Sequence, residues 1–444
     1  MMPLLHAVIV SFPAQGHINP LMNFAELLAI RGFFITFVTT EWMDQRLLKA
    51  ASKDAATRDR EVQERGFKFR FLSISDGLPP EHGRTTQLAE VAKSLGVPRV
   101  VFWTCGTANS IVQANANFLL SQGHIPVKEE DLNSKEKFIT CLPGKLPPIR
   151  PTDIVSFFRE KHISEIIYSV YLYESRIQNI ADYVLVNTFE ELEGGEEAQM
   201  GLSVNGCPAL AIGPVFLPNF LQGRNSMHSM WEEDKTCFQW LDAQQQGSVL
   251  YVSFGSIAIK SERQLHELAL GLEACGYPFL WVLRSDIAEG KSVDLPEGFK
   301  DRTKDRALIV SWTNQLKVLS HPSLGGFLMH CGWNSTLEAI SMGVPLIGWP
   351  YFADQFIDCR FVKDIWKFGL DFEGVDVDEF KLVTKEVVES TIRNLMEGCL
   401  AKELKENVVR LKKVASKAVM EGGTSYTNLN TFIEDMQKIA KSNV

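Results

Sequence analysis

The chain contains 444 residues, 45% hydrophobic and 22% charged, a composition typical of a folded protein of two or three domains. The 45 basic residues against 54 acidic ones leave a formal charge of −9. This balance disfavours a general binder of nucleic acid or anionic membranes, because such proteins need a basic face. Eight cysteines without a CxxC pair suggest neither a disulfide scaffold nor a zinc site. We expect reduced thiols and a cytoplasmic location.

The N-terminal stretch is apolar, but His6 and Pro13 interrupt it well short of the roughly 20 residues that a membrane span needs. No other run reaches that length. We therefore expect no membrane span and interpret the stretch as a buried first strand.

Short β-rich apolar runs alternate with amphipathic segments along the chain, a pattern that predicts βαβ units and parallel sheets covered on both faces. Residues 216–234 lack clean periodicity and are interpreted as a linker. We predict an α/β protein of two Rossmann-like domains, 1–215 and 235–425, facing a cleft at the carboxyl ends of their strands. The predicted strands are 7–12, 34–39, 68–74, 97–103, 183–187, 249–254, 278–283, 307–311, 326–329 and 345–349.

A first candidate site follows the first predicted strand, in the segment from Ala14 to Pro20. Asn19 suits an N-cap and Pro20 suits the first helical turn, so we predict His17 in the loop that leads into a helix. The positive end of that helix disfavours imidazolium and leaves a neutral ring able to accept a proton. A structural loop histidine is the alternative.

A second candidate site is the 44-residue stretch from Trp312 to Gln355, WTNQLKVLSHPSLGGFLMHCGWNSTLEAISMGVPLIGWPYFADQ. Its strand runs into a turn, 330–335, that opens a helix and is suited to a diphosphate. Gly332 permits close backbone approach, while Asn334 and Ser335 are predicted to cap the helix. A nucleobase can stack on Trp312, and the carboxylate of Glu338 can accept hydrogen bonds from ribose hydroxyls.

This stretch resembles the signature box of plant UDP-dependent glycosyltransferases, and other landmarks of that family occur in the family's order. They are the PAQGHINP start, 187–193, 212–214, 251–256, 295–299 and 422–426. The resemblance covers nearly the whole chain. It implies the GT-B arrangement, in which a final helix, here 426–444, packs back on the N-terminal domain. It also implies a monomer that uses UDP-glucose as donor substrate and needs no metal or other cofactor.

The resemblance implies a role for each matching position. Trp312 would stack on uracil, assisted by Thr313 and Gln315, and Glu338 would bind the ribose. The diphosphate would lie against Ser256, His330, Gly332, Asn334 and Ser335, and the sugar against Trp333, Asp354 and Gln355. Gln355 together with Trp333 points to UDP-glucose rather than UDP-galactose.

The implied reaction is inverting transfer of glucose by direct displacement. His17 would take the proton of an acceptor hydroxyl, which attacks the anomeric carbon while UDP departs. The acceptor would be a small lipophilic metabolite such as a flavonoid or another phenol. Phe12, Phe102 and Trp103 could line its pocket, although core packing is the alternative for each.

The chain departs from the family pattern between the third and fourth predicted strands. Family members place an aspartate behind the catalytic histidine, on a strand that precedes the one predicted here at 97–103. Only 16 residues, Glu81 to Gly96, are present in this interval, which is too few for the family's additional helix and strand. Neither Asp76 nor Glu90 is a good substitute. A UDP-sugar-binding protein with impaired or no catalysis therefore remains the alternative function.

Three short motifs partly resemble other kinds of functional site, and a fourth motif is absent. The DxD at 376–378 is interpreted as a loop or cap rather than a metal site, and Cys331 beside His330 as a buried thiol rather than a nucleophile. Gly255-Ser256 lacks the full nucleophile-elbow pattern. No G-x-G-x-x-G follows a predicted strand, which disfavours a nucleotide-dependent oxidoreductase.

Overall fold

A computed structural model describes the chain except for residues 1–4, 13, 76–96, 133, 135–136, 160–171, 173–174, 176–180, 204–208, 225–230, 257–260, 285–293, 373–380 and 443–444. Its strands are β1 His6–Val10, β2 Phe34–Thr40, β3 Phe69–Ile74, β4 Val100–Trp103, β5 Tyr183–Val186, β6 Ala209–Ala211, β7 Val249–Ser253, β8 Phe279–Val282, β9 Ala307–Val310, β10 Leu324–Met329, β11 Leu346–Gly348 and β12 Gly369–Asp371.

The strands alternate with helices, as the sequence pattern predicts. The α-helices are α1 Gln15–Ile30, α2 Glu41–Ala50, α3 Ala55–Glu64, α4 Thr107–Ala114, α5 Ala116–Ser121, α6 Glu129–Leu132, α7 Glu190–Glu193, α8 Gly195–Gln199, α9 Leu217–Leu221, α10 Thr236–Asp242, α11 Glu262–Cys275, α12 Phe299–Thr303, α13 Gln315–Leu319, α14 Trp333–Met342, α15 Gln355–Arg360, α16 Lys385–Met396, α17 Gly398–Val419 and α18 Thr424–Ser442. A π-helical turn, Phe361–Ile365, follows α15.

The C-terminal half forms one parallel sheet in the order β12-β11-β10-β7-β8-β9. All five residues of β7, Val249–Ser253, are buried, as expected for a strand covered by helices on both faces. Adjacent β7 and β10 end together, because Ser253 pairs with Met329. The turns that follow these two strands are thereby brought side by side.

The N-terminal half contains two separate three-stranded parallel sheets, β1-β2-β3 and β4-β5-β6. Among the described residues, β1 pairs with β2 and β4 pairs with β5, and no strand lies between β1 and β4. Val8, in the middle of β1, is 62% exposed, whereas the valine of a covered central strand would be buried. The break lies where the sequence lacks the length for the family's additional strand.

Helix α1 packs against both N-terminal sheets. Phe24 on α1 stacks on Phe102 of β4 with ring centroids 5.1 Å apart, and the same apolar core contains Ile9 of β1 and Leu185 of β5. Phe432 of α18 also lies 6.3 Å from Phe24. These contacts join two sheets that share no hydrogen-bonded strand pair among the described residues.

The sequence missed two short strands, β6 and β12, because three-residue runs are too short for a periodicity to appear. The stretch predicted as linker, 216–234, contains helix α9. Phe102 and Trp103 pack into the apolar core rather than a pocket. Asp76, Glu90 and the DxD at 376–378 lie outside the described residues.

Replacing Phe24 with alanine is expected to destabilise the N-terminal half by about 3–5 kcal/mol, because a buried aromatic ring between two sheets would be lost. The exposed Phe118 on α5 provides a matched control, for which we expect less than about 1 kcal/mol. Thermal unfolding followed by circular dichroism measures both variants. Equal losses from the two would show that Phe24 does not join the sheets.

Candidate active site at the interdomain cleft

His17 lies in the first turn of helix α1 and not in a preceding loop, so the predicted capping was wrong. The helix begins at Gln15 after Ala14, and Asn19 and Pro20 lie inside it. Pro20 is the sixth residue of the helix and has no N–H to donate to the Gly16 carbonyl, which accepts from the Asn334 amide at 2.7 Å instead. His17 therefore lies within the positive N-terminal end of the helix rather than beside it.

The imidazole of His17 contacts two neighbours. Its Nδ1 lies 3.0 Å from the hydroxyl oxygen of Thr104, which directly follows β4, and its edge meets Phe12 with ring centroids 5.1 Å apart. Desolvation by the cleft walls lowers the pKa of His17 to about 4, although water can still reach the ring from the open side of the cleft. The ring is therefore neutral at pH 7 and able to accept a proton.

The turn between β10 and α14 packs closely around His330. A Cβ atom on Gly255 or on Gly332 would lie 2.6 Å from the imidazole, so both positions require glycine. Cys331 is fully buried below the turn with φ of 62°, a conformation unusual for a residue with a side chain. Ser256, beside Gly255, borders the same turn.

Asn334 and Ser335 do not cap α14, contrary to the prediction; the N-cap is Gly332, without a side-chain bond. Instead, the Asn334 amide donates to the Gly16 carbonyl at 2.7 Å. It also accepts from the Asn187 amide at 3.4 Å. The hydrogen bond from Asn334 to Gly16 brings the first turn of α1 and the first turn of α14 together.

Gln315 connects two further predicted positions. Its amide nitrogen donates to the hydroxyl of Ser335 at 2.8 Å and to the carboxylate of Glu338 at 2.7 Å. Desolvation raises the pKa of Glu338 to about 7, while the hydrogen bond from Gln315 opposes the rise. Glu338 is only partly buried, so a hydroxyl group of a ligand can donate a hydrogen bond to its carboxylate.

Trp312 stacks on Trp231, a residue that the sequence analysis assigned to the linker. Their ring centroids are 4.5 Å apart and the planes are inclined by 26°. The Arg46 guanidinium of α2 lies 5.2 Å above Trp231, so the stack reaches the N-terminal half. Thr313 is buried, and its hydroxyl donates to the Asp234 carbonyl at 3.3 Å.

The predicted sugar-binding residues separate into two groups. Trp333 is only 3% exposed, and its indole donates to the Asn187 carbonyl at 2.8 Å, so its side chain serves the contact between the two halves. Asp354 and Gln355 lie at the start of α15, where the Gln355 side chain accepts from the Tyr351 and Phe352 amides. Desolvation raises the pKa of Asp354 to about 6.

Ala353, which precedes this pair, has φ of 57°, and its backbone amide donates to the Ser156 hydroxyl at 2.9 Å. Strained backbone of this kind clusters at functional sites. Thr104, Ser156, Asn187 and Trp231 are contributors that sequence reasoning missed, because each acts through a neighbour more than 70 positions away.

Among the described residues, no group of three or more histidine, cysteine or acidic side chains is arranged to hold a metal ion. No described helix combines the length and the apolar character needed to cross a bilayer.

Comparison with known proteins identifies the class. Residues 89–421 match the model of the UDP-glucoronosyl and UDP-glucosyl transferase family. The chain is 34% identical to UDP-glycosyltransferase 85A1 of Arabidopsis thaliana over 483 aligned positions, covering 96% of this chain and 95% of that protein. It is also 34% identical to 7-deoxyloganetin glucosyltransferase of Gardenia jasminoides, covering 97% of each chain.

The structure resembles that of Phytolacca americana UGT2 complexed with UDP-2fluoro-glucose and pterostilbene. The TM-score is 0.75 at 29% identity, with 98% of this chain and 100% of that chain covered. The chain therefore belongs to the UDP-glycosyltransferase family and has the GT-B fold, two Rossmann-like domains around a cleft. It is a glycosyltransferase, and members of its family use a UDP-sugar donor without a metal cofactor.

The alignment with the Arabidopsis protein spans 483 positions, whereas this chain has 444 residues. At least 39 aligned positions (483 less 444) are therefore gaps in this chain.

Replacing Glu338 with glutamine is expected to stabilise the protein at pH 8. The pKa of Glu338 is raised from 4.5 to about 7 in the folded protein. Ionisation of this carboxyl therefore lowers the free energy of unfolding as the pH rises from 4.5 to about 7, and the loss is complete above about pH 7. We expect the substitution to raise the free energy of unfolding at pH 8 by about 1–2 kcal/mol. This value is smaller than the full pKa shift implies, because Glu338 is only partly buried and solvent screens its charge. Thermal unfolding at pH 8 and pH 4.5 measures the difference.

The gain should be nearly absent at pH 4.5, where Glu338 is protonated in the folded state. The exposed Glu434 on α18 is the matched control, and Glu434→Gln should show no such pH-dependent gain. Unchanged stability of Glu338→Gln at pH 8 would contradict a costly buried charge.

Proposed function

We propose that this glycosyltransferase moves glucose from UDP-glucose to a hydroxyl of a small lipophilic acceptor, such as a flavonoid or another phenol, with inversion at the anomeric carbon. The observation that carries the proposal is the juxtaposition of two helix N-termini, fixed by the 2.7 Å hydrogen bond from Asn334 to Gly16. One bears His17 and the other follows the turn at 330–335. Two reactants bound there would be held together for direct displacement.

The donor side of the cleft supports UDP binding. Uracil would stack on Trp312, with contacts from Thr313 and Gln315, and Glu338 would accept from the ribose hydroxyls. The amides at the start of α14, with Ser256, His330, Gly332 and Ser335, would hold the diphosphate. Asp354 and Gln355 would contact the glucose, and the backbone of Trp333 would face it because its indole is buried.

The acceptor side supports proton removal by His17. As the acceptor oxygen bonds to the anomeric carbon, its proton would pass to His17 and UDP would leave with the electron pair of the broken bond. The positive ends of the facing helices would stabilise the leaving diphosphate. Phe12, 47% exposed beside His17, would provide an apolar wall. We further propose that the enzyme acts as a cytoplasmic monomer.

Two substitutions should separate donor binding from transfer. His17→Ala should retain UDP affinity and lose about 10²–10⁴-fold in transfer rate, the usual contribution of a general base. Trp312→Ala should weaken UDP binding by about 1–3 kcal/mol, the value of one stacked base. Calorimetry with UDP and radiolabelled UDP-glucose with a phenol panel measure the two quantities.

His321, which is bonded to Ser323 and Asp242, is the control histidine, and its replacement by alanine should leave both unchanged. UDP at 100 times its dissociation constant should stabilise the wild type by about 2.7 kcal/mol. UDP binding without product from any acceptor would instead support the alternative, a UDP-sugar-binding protein with impaired catalysis. Wild-type turnover in His17→Ala would remove His17 from the mechanism.

A further inference from the structure

The immediate partner of His17 is a hydroxyl group. Its Nδ1 lies 3.0 Å from the Thr104 oxygen, and within the described part of the chain no carboxylate forms an ion pair with the ring or shifts its pKa. We propose that Thr104 is the positioning residue of His17 and that its uncharged hydroxyl restricts the enzyme to acidic acceptor hydroxyls, phenols rather than alkanols. This inference rests on the proposed role of His17 as base.

The hydroxyl can fix the tautomer of the imidazole. If Thr104 accepts from the Nδ1 proton, the lone pair of His17 is on Nε2, which is where an acceptor proton must be received. Thr104 follows β4 directly, and β4 is held by β5 and by the stacking of Phe102 on Phe24. The orienting oxygen is therefore attached to a well-packed element.

A carboxylate beside a catalytic histidine orients the ring and also stabilises the imidazolium that forms. A hydroxyl group can orient the ring, but it carries no charge to stabilise the imidazolium. The two facing helix N-termini add positive potential at the same place. Proton transfer to His17 is consequently costly, and by Brønsted behaviour the cost grows with the pKa of the acceptor. A phenol, with a pKa near 10, loses its proton far more readily than an alkanol, whose pKa lies near the 15.7 of water.

The step itself is balanced without a further reactant. The acceptor O–H bond breaks and its proton joins Nε2, the acceptor oxygen bonds to the anomeric carbon, and the bond to the diphosphate breaks with its electron pair on UDP. The proton of His17 is then lost to water. An acidic acceptor lowers the barrier of this step because its oxygen gives up the proton to His17 at a lower free-energy cost.

Three variants of the full chain test the proposal: Thr104→Val removes the hydroxyl, Thr104→Ser keeps it and Thr104→Asp introduces a carboxylate. Each is assayed with UDP-glucose, a series of para-substituted phenols and 2-phenylethanol. Thr427→Val is the control, since that hydroxyl donates to the carbonyl of Gly423, the residue that precedes α18. Thermal unfolding verifies that each variant is folded.

We expect Thr104→Val to lose about 10–100-fold in kcat with an unchanged KM for UDP-glucose, and Thr104→Ser to retain most of the wild-type rate. Thr104→Asp should raise the rate with 2-phenylethanol by about tenfold or more and flatten the dependence of rate on phenol pKa. By NMR, the pKa of His17 should move upward in Thr104→Asp, a readout that requires no turnover.

Wild-type kcat in Thr104→Val, or an unmoved His17 pKa in Thr104→Asp, would show that Thr104 only packs against the ring. An unchanged phenol-to-alkanol ratio in Thr104→Asp would overturn the restriction to acidic acceptors. If His17→Ala also retained turnover, the proposed base itself would have failed, and the NMR result would still report on Thr104 independently.

Discussion

The hydrogen bond from Asn334 to the Gly16 carbonyl, 2.7 Å long, places the first turns of two helices face to face. The N-terminus of each helix carries a partial positive charge, so their juxtaposition favours an anion and disfavours a protonated imidazole. For His17 this effect acts in the same direction as desolvation, which lowers the pKa of the ring. In the proposed mechanism, the contact between the two halves therefore serves both the diphosphate and the base.

Side chains buried between the domains hold that contact in place. The Trp333 indole donates to the Asn187 carbonyl, and a Cβ on Gly106 would lie 3.0 Å from the same indole. Glu193 accepts from the Thr107 amide at 2.8 Å and so caps the helix beside it. Asn187 and Glu193 are the first and last residues of the stretch 187–193, one of the family landmarks found in the sequence. In the structure this stretch contributes to the contact between the two halves.

The sequence predicts most of the described strands, because buried parallel strands form continuous apolar runs. The residues proposed for the donor site are easy to select from the sequence because they are nearly contiguous from Trp312 to Gln355. The sequence misplaces the start of α1, since Asn19 and Pro20 are typical of an N-cap and a first helical position but lie in the second turn of the helix. It also misses Trp231 and Thr104. Their partners are distant in sequence, and only the folded sheets bring Thr104 beside His17 and Trp231 onto Trp312.

The break between β1 and β4 affects the two halves of the site unequally. The proposed donor contacts all lie in the C-terminal half, on loops and helices that follow strands of the six-stranded sheet, so we expect UDP binding to be independent of the break. The proposed base lies beside the break, because His17 follows β1 and Thr104 follows β4. With no described strand between them, the side chain after β4 is the one that meets the imidazole. Among the described residues, the proposed base is thus assisted by a hydroxyl group rather than by a carboxylate.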